Sequence, residues 1–315
     1  MNDDDHLYAS EGGYDVSEPK SEAELEREAR LCLAKLNDSG TDTEVCCEGI
    51  VGAWQRYRML NATMRGIRAE DVQAEADEIG LRLLTPGHDA EWPVELDDLS
   101  CHSPLVLALW VAGQELDLRQ PVCITGARAS TAYGERIAQE MAHELASRGH
   151  TIVTSLSYGV DVAALKGALA ADGPAPVVVL AQGIAEKVPP RLQHHEELVQ
   201  SLMQRGTVVT EFPPGMKPSR TRFELRGRIM AALAQATVVV EGASRSGVRY
   251  VARDARSLER HLLAVPGPVT SATNALPHQL IATVKATLVT CAQDVIDHLA
   301  ATTITDMLDV TEEDQ

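Results

Sequence analysis

From Gln120 onward, short apolar runs alternate with amphipathic stretches along the chain. Each run is apolar at most positions, which is typical of strands buried on both faces of a parallel sheet. The stretches between them carry apolar residues at helical spacing. The predicted strands are 122–125, 151–155, 177–181, 207–211, 237–241 and 262–265. The predicted helices between them are 134–147, 161–170, 194–204, 226–234 and 248–259.

This alternation predicts an α/β fold with a Rossmann-like, doubly wound and mostly parallel sheet. A helical pattern from Glu22 to about Leu84 predicts a small helical module ahead of it, and TPGHDAEWP interrupts that pattern. The predicted organisation is a disordered acidic tail (1–21), a helical N-terminal module (22–84), a connecting segment leading into the sheet (85–119), the Rossmann-like domain (120–300) and an acidic C-terminal tail (301–315).

The composition narrows the class of protein. Hydrophobic residues make up 44% of the 315 residues and aromatic residues 3%, so the core is expected to be aliphatic. No apolar run approaches the ~20 residues that span a bilayer, and the acidic start MNDDDHLY lacks the apolar region of a signal peptide. The six cysteines form no zinc-binding pattern. We therefore expect a cytoplasmic protein with no membrane contact, no metal and no cofactor.

The net charge of −18 at first argues against a nucleic-acid partner, but the charge is unevenly distributed. Residues 1–30 and 294–315 each carry a net charge of −7, whereas 205–260 holds eleven Lys/Arg against five Asp/Glu. Because the local potential decides where an anion binds, 205–260 is a candidate anion-binding region. A solvated basic face is the alternative interpretation.

Small residues follow the predicted strands and let backbone N–H groups approach a ligand closely. The first loop contains Gly126, Arg128 and Ser130, without the three glycines and the later acid of a dinucleotide fingerprint. NAD binding is therefore disfavoured. Arg128 is interpreted as a residue whose planar guanidinium binds phosphate through two N–H donors. Pairing of Arg128 with a local acid is the alternative. Ser246-Gly247 opens another helix, where capping or oxyanion binding are both open.

The stretch RTRFELRGRIM places arginines around an aromatic residue, Phe223. Such interleaving suits a single strand, with phosphates on the arginines and a base stacked on the ring. A core position for Phe223 is the alternative.

Catalytic motifs are absent from the sequence: it contains no GxSxG elbow, HExxH or P-loop lysine. Asp161 is interpreted as a helix N-cap. Glu211 and Glu241 end two predicted strands that follow one another in the chain, and either a carboxylate pair or structural hydrogen bonding is possible.

These segments, taken in order, resemble the DNA-processing protein A (DprA/Smf) family over about Leu84–Leu299. The matching segments are TPGHDAEWPVELDDL, VCITGARASTAYGERIAQEMAHELASRGHTIVTSLSYGVDVAALKGAL, GTVVTEFPPGMKPSRTRFELRGRIMAALAQATVVVEGASRSG, LLAVPGPV and LVTCAQDVIDHL. The residues before Leu84 lie where the family has a small helical module.

The resemblance implies a protein that binds single-stranded DNA, protects incoming or exposed strands, and loads the RecA recombinase during natural transformation and homologous recombination. It also implies a homodimer without catalytic activity. From the loops and the family motifs together, the predicted DNA- or phosphate-binding residues are Gly126, Arg128, Ser130, Gly159, Lys166, Phe223, Arg226, Arg228, Ser246 and Gly247.

The chain departs from the family pattern at several positions. Ala127 stands for a serine, Tyr158 for an arginine and Gly227 for an asparagine, and the usual C-terminal winged helix is not expected. Tyr158 is a candidate to stack on a base. Two other hypotheses stay open. The first is a nucleotide-binding or nucleotide-cleaving protein that uses Glu211 or Glu241, and the second is a dimeric recombinase scaffold that has lost DNA binding.

Overall fold

A computed structural model of the chain describes residues 20–36, 41–61, 65–101, 105–184 and 196–301. Most of both predicted acidic tails lies outside these residues. The helices are α1 (Glu22–Leu36), α2 (Thr41–Leu60), α3 (Ala69–Glu78), α4 (Ala132–Ser147), α5 (Val160–Ala170), α6 (Glu196–Arg205), α7 (Arg220–Ala232), α8 (Val248–Ser257) and α9 (Ala275–Val284). A last helix covers 292–301. In the described part of the chain, no helix is both long and apolar enough to span a membrane.

One nine-stranded sheet organises the structure. Its strands are β1 (Arg82–Leu84), β2 (Leu109–Gly113), β3 (Val122–Thr125), β4 (Ile152–Ser155), β5 (Val177–Val179), β6 (Thr207–Thr210), β7 (Ala236–Val239), β8 (His261–Ala264) and β9 (Thr287–Leu288). Their order is β1-β2-β6-β5-β4-β3-β7-β8-β9. The strands from β3 to β9 are parallel, and β1 and β2 are antiparallel to their neighbours. The predicted doubly wound α/β fold is confirmed.

The central strand β3 shows why its first three residues are apolar. Val122 and Ile124 pack into the core under α4 and α5, whereas Cys123 packs into the opposite core under α7 and α8. Because alternate side chains enter different cores, none of these three positions is left for a polar residue. The order of the strands reverses between β3 and β7, and that reversal is where ligands bind in many sheets of this kind.

All six predicted strands and the five helices between them are present, with small shifts at their ends. The largest shift is at α7, which begins at Arg220 rather than at 226. Ser219 caps it, since its Oγ accepts a hydrogen bond of 3.2 Å from the Arg222 N–H.

The helical prediction up to Leu84 is wrong at its end. Helix α3 ends at Glu78, and Arg82–Leu84 forms β1, which pairs with β2. A three-residue strand is too short to show the alternation of apolar and polar residues that marks a strand. Its strand conformation is defined by pairing with β2, where the buried Trp110 lies opposite Leu83. The sheet therefore takes in segments before residue 120. The division into domains stays a prediction.

Helices α4 and α5 pack closely where Gly167 of α5 faces the backbone of α4. A Cβ at Gly167 would overlap the Gln139 carbonyl oxygen. The two helices can thus approach this closely only because Gly167 has no side chain. Their close packing helps to hold α5 in place beside β3.

We predict that Gly167→Ala destabilises the protein by about 1–3 kcal/mol, because the overlap with α4 outweighs the better helix propensity of alanine. Urea unfolding measures the effect as a lower midpoint. Gly66→Ala is the matched control, since nothing lies within 4 Å of its added Cβ. Equal midpoints for the two variants would contradict the packing argument.

Candidate functional site

The loop after β3 begins with a glycine that the neighbouring elements require. A Cβ on Gly126 would lie 2.7 Å from Val160 Cγ2 and 2.9 Å from the Glu241 carbonyl oxygen. The loop is therefore pressed between the start of α5 and the end of β7. Beyond it, the Arg128 side chain is exposed to solvent at the carboxyl edge of the sheet.

A buried carboxylate holds this edge together. Asp161 accepts hydrogen bonds from Thr125 Oγ1 at 2.9 Å, from the Gly126 N–H at 3.2 Å and from Ser155 Oγ. It thus joins the ends of β3 and β4. Its interpretation as an N-cap is wrong, because the N-cap of α5 is Gly159 and the Asp161 side chain bonds to the strands instead.

Gly159 is also required by its surroundings. Its φ is 79°, in the region that favours glycine, and a Cβ there would lie 2.7 Å from both the Arg128 carbonyl oxygen and Ser130 Oγ. The loops after β3 and β4 therefore touch at Gly159.

Arg226 is a buried cation beside this edge. Its Nη1 donates a hydrogen bond of 3.1 Å to Ser157 Oγ, while its Nε has no hydrogen-bond partner among the described residues. Burial lowers the pKa of Arg226, and the nearby Asp161 carboxylate opposes that shift. Burial likewise raises the pKa of Asp161, and Arg226 opposes that shift. Each group therefore stabilises the charged form of the other.

Two arginines lie against the same aromatic ring. The guanidinium carbon of Arg128 is 4.4 Å from the centroid of Phe223, and that of Arg226 is 5.4 Å from it. Both distances are within the range of cation–π attraction. Phe223 is half-buried in the first turn of α7, whereas Phe212 is fully buried, so Phe223 lies at a surface rather than in the core.

Phe223 and the two arginines line a pocket of about 110 Å³. The remaining lining residues come from the loops after β4 and β5, from the end of β5 itself and from the residues before α7: Leu156, Ser157, Tyr158, Val179, Leu180, Ala181, Gln182 and Pro218. The pocket combines an apolar floor, an aromatic wall and two cations, and its lining contains no carboxylate. This arrangement suits a ligand with a flat apolar part and a negative charge.

The sequence did not single out Ser157 or Gln182. Gln182 directly follows a predicted strand and Ser157 lies two residues after one, and that position is the signal that could have identified them. Tyr158, noted as a departure from the family, also lines the pocket.

Arg228 lies away from this pocket. It is 3% exposed, and its Nη2 donates a hydrogen bond of 2.6 Å to Glu211 Oε2. The guanidinium is thus held inside the protein by a buried ion pair, and its contact with phosphate stays a prediction.

The remaining predicted residues do not line the pocket. Ser130 donates a hydrogen bond of 2.7 Å to Glu135, and Lys166 is exposed on α5. Ser246 Oγ accepts a hydrogen bond of 3.4 Å from the Val248 N–H at the start of α8, and the exposed Gly247 is the N-cap residue of that helix.

The reversal point of the sheet is occupied by a side chain of the protein. Glu241 is fully buried there and accepts hydrogen bonds from the Thr131 N–H at 2.8 Å, from Thr131 Oγ1 at 2.7 Å and from Thr273 Oγ1 at 3.1 Å. Glu211 directly follows β6, and three strands separate β6 from β7 in the sheet. The two carboxylates therefore form no pair, and both make structural bonds. In the part of the chain that is described, no cluster of side chains is arranged to hold a metal ion.

Comparison with known proteins identifies the family. The family model of DNA recombination-mediator protein A matches residues 83–300. A Mycobacterium tuberculosis protein assigned as DNA processing protein DprA is 40% identical over 277 residues, which cover 80% of this chain and 69% of that protein. Protein Smf of Escherichia coli is 36% identical over 194 residues, covering 61% of this chain and 50% of that protein.

Solved structures agree on the fold. The X-ray structure of DNA processing protein A from Streptococcus pneumoniae superposes with a TM-score of 0.68 at 23% identity, covering 88% of this chain and 96% of that one. A structure of DNA processing protein A from Helicobacter pylori, described for its unique single-stranded DNA binding mode, gives a TM-score of 0.60 at 23% identity, covering 71% and 98%. The resemblance in the sequence motifs is thereby confirmed, and the chain belongs to the DNA recombination-mediator protein A (DprA/Smf) family.

Proposed function

We propose that this protein binds single-stranded DNA without strong sequence preference, protects it, and delivers it to a RecA-type recombinase. It acts in the cytoplasm as a homodimer and without catalysis of its own. Membership of a DNA-processing family supports the general role. The observation that carries the proposal is the pocket in which Arg128 and Arg226 lie against Phe223.

The chemistry of this pocket matches a nucleotide of a single strand. A base can stack on the Phe223 ring, and the exposed Arg128 can pair with the adjacent phosphate. Because every base has an aromatic face, stacking tolerates any sequence. A half-buried ring between loops is accessible to an unpaired base, whereas the bases of a duplex are already stacked on each other. The pocket therefore favours single strands over duplexes.

The charges around the pocket argue against nucleotide cleavage. A glycosidic reaction needs a carboxylate at the bond that breaks. No acid lines the pocket, and the two candidate acids, Glu211 and Glu241, are held by Arg228 and by Thr131 and Thr273. Binding without catalysis is thus the better explanation.

The basic pocket also favours DNA binding over a scaffold that has lost it. Arg226 is buried and its Nε has no hydrogen-bond partner among the described residues, and a buried cation is costly unless an anion balances it. Asp161 supplies part of that balance from inside. A phosphate group in the pocket would add to it.

We predict that Arg128→Ala weakens binding of a labelled oligo-dT about tenfold at low salt, since one charge-assisted contact is lost. Fluorescence anisotropy over a salt series should also give a slope shallower by about 0.7, the contribution of one phosphate contact. Arg119→Ala is the control, because Arg119 is an exposed arginine that precedes β3, at the opposite edge of the sheet. Identical binding by the two variants would overturn the role of the pocket.

We predict a different result for Phe223→Leu. Loss of stacking should cost about 1–3 kcal/mol of binding free energy while the salt slope stays that of the wild type, because no phosphate contact is removed. Phe223→Tyr keeps the ring and should bind normally. A Phe223→Leu variant that binds like the wild type would show that no base stacks on this ring.

The delivery step has its own test. When a strand coated with single-strand-binding protein is offered to a RecA-type recombinase, this protein should accelerate filament formation, and Arg128→Ala should not. Filament growth is followed by the ATPase activity of the recombinase. Normal oligo-dT binding with no acceleration would refute delivery and leave strand protection as the function.

A further inference from the structure

Helix α8 lies beside the helix that carries the pocket residues. Both α7 and α8 start at the carboxyl edge of the sheet, because each follows the loop after a parallel strand, and both pack on the same core. Gly227 of α7 makes their contact close, since a Cβ there would lie 3.2 Å from the Val251 side chain. The outer face of α8 is therefore a direct continuation of the surface around the pocket.

That outer face carries a row of exposed arginines. Arg249, Arg253 and Arg256, here called the α8 arginine row, are spaced four and three residues apart and so lie on one side of the helix. The opposite side packs into the protein through residues such as Val251 and Ala255. At ~1.5 Å per residue, the row is about 10 Å long. It is thus long enough to meet successive phosphates of a strand.

The positive charges of the row are largely free. In the described part of the chain, no carboxylate forms an ion pair with Arg249 or Arg256. Arg253 binds the neighbouring Asp254 at 2.7 Å and lies 5.3 Å from the ring of Tyr250. Although the chain carries a net charge of −18, this exposed row creates a local positive potential that attracts an anion.

We propose that the α8 arginine row binds the phosphate backbone of the same single strand, so that the strand leaves the pocket across α8. This inference rests on the proposed function. The pocket then holds one end of the bound segment, and the row holds the part that follows. Tyr250 lies beside Arg253 and provides a second aromatic ring on which a base can stack.

Nucleic acid is a better occupant than an acidic protein for two reasons. The row is continuous with a pocket that already combines arginine with an aromatic ring, and it repeats that combination with Arg253 and Tyr250. Evenly spaced cations also match the regular spacing of phosphates, whereas the carboxylates of a folded protein surface are irregular.

The test compares a short and a long labelled oligo-dT of about 4 and about 16 nucleotides. The variant is Arg249→Ala/Arg256→Ala, and the control is Arg119→Ala/Arg148→Ala, which removes the same charge from other surfaces. Thermal unfolding verifies that both variants are folded. On the long strand, the plot of log affinity against log salt should have a slope shallower by about 1.4 for the row variant than for the wild type. Between about 50 and about 200 mM salt, the row variant should therefore lose about sevenfold less affinity than the wild type loses. On the short strand it should match the wild type.

Each other outcome overturns the inference in a recognisable way. If the row variant binds the long strand like the control does, the row carries no DNA. If polyglutamate binding is lost while binding of the long strand is kept, the row takes an acidic protein. If the wild type binds neither strand, the proposed function fails as well, whereas normal binding of the short strand would leave the pocket intact.

Discussion

The site depends on one buried carboxylate. Asp161 joins the ends of β3 and β4 by three hydrogen bonds, and its charge offsets that of the buried Arg226. Removing it would free two loops and leave a cation in the core without its counter-charge. The geometry around Phe223 is therefore a consequence of an ion that never meets the ligand. Helix packing at Gly167 adds to this by fixing the helix on which Asp161 sits.

Glu241 fills the position where a Rossmann-like sheet usually binds its ligand. The crevice at the reversal of strand order is the usual ligand position in such sheets. In this protein the Glu241 side chain occupies it and is bonded to Thr131 and Thr273. The open pocket lies instead beyond the ends of β4 and β5, against α7. The same carboxyl edge of the sheet thus offers a different position for a ligand.

Much of the fold is readable from the sequence, because continuously apolar strands and amphipathic helices have distinct periods. The three-residue β1 has no such signal, since only its pairing with β2 defines it. For the site, the sequence predicts Arg128, Phe223 and Arg226 together. It cannot distinguish Arg226, which borders the pocket, from Arg228, which binds Glu211 inside the protein. Two arginines separated by one residue on a helix point in different directions, and only the tertiary partners decide the role of each.

Under the proposed function, the contact between Arg128 and Phe223 has a consequence for how a strand would leave the pocket. In the free protein the guanidinium covers the ring, so this arginine acts as an internal surrogate for the base. An arriving base would displace the Arg128 guanidinium from the Phe223 ring rather than fill an empty surface. The guanidinium would return to the ring as the base leaves. Such exchange lowers the barrier to dissociation without exposing an aromatic face to water. If the protein hands its strand to a recombinase, as proposed, easy replacement at the ring is an advantage over maximal affinity.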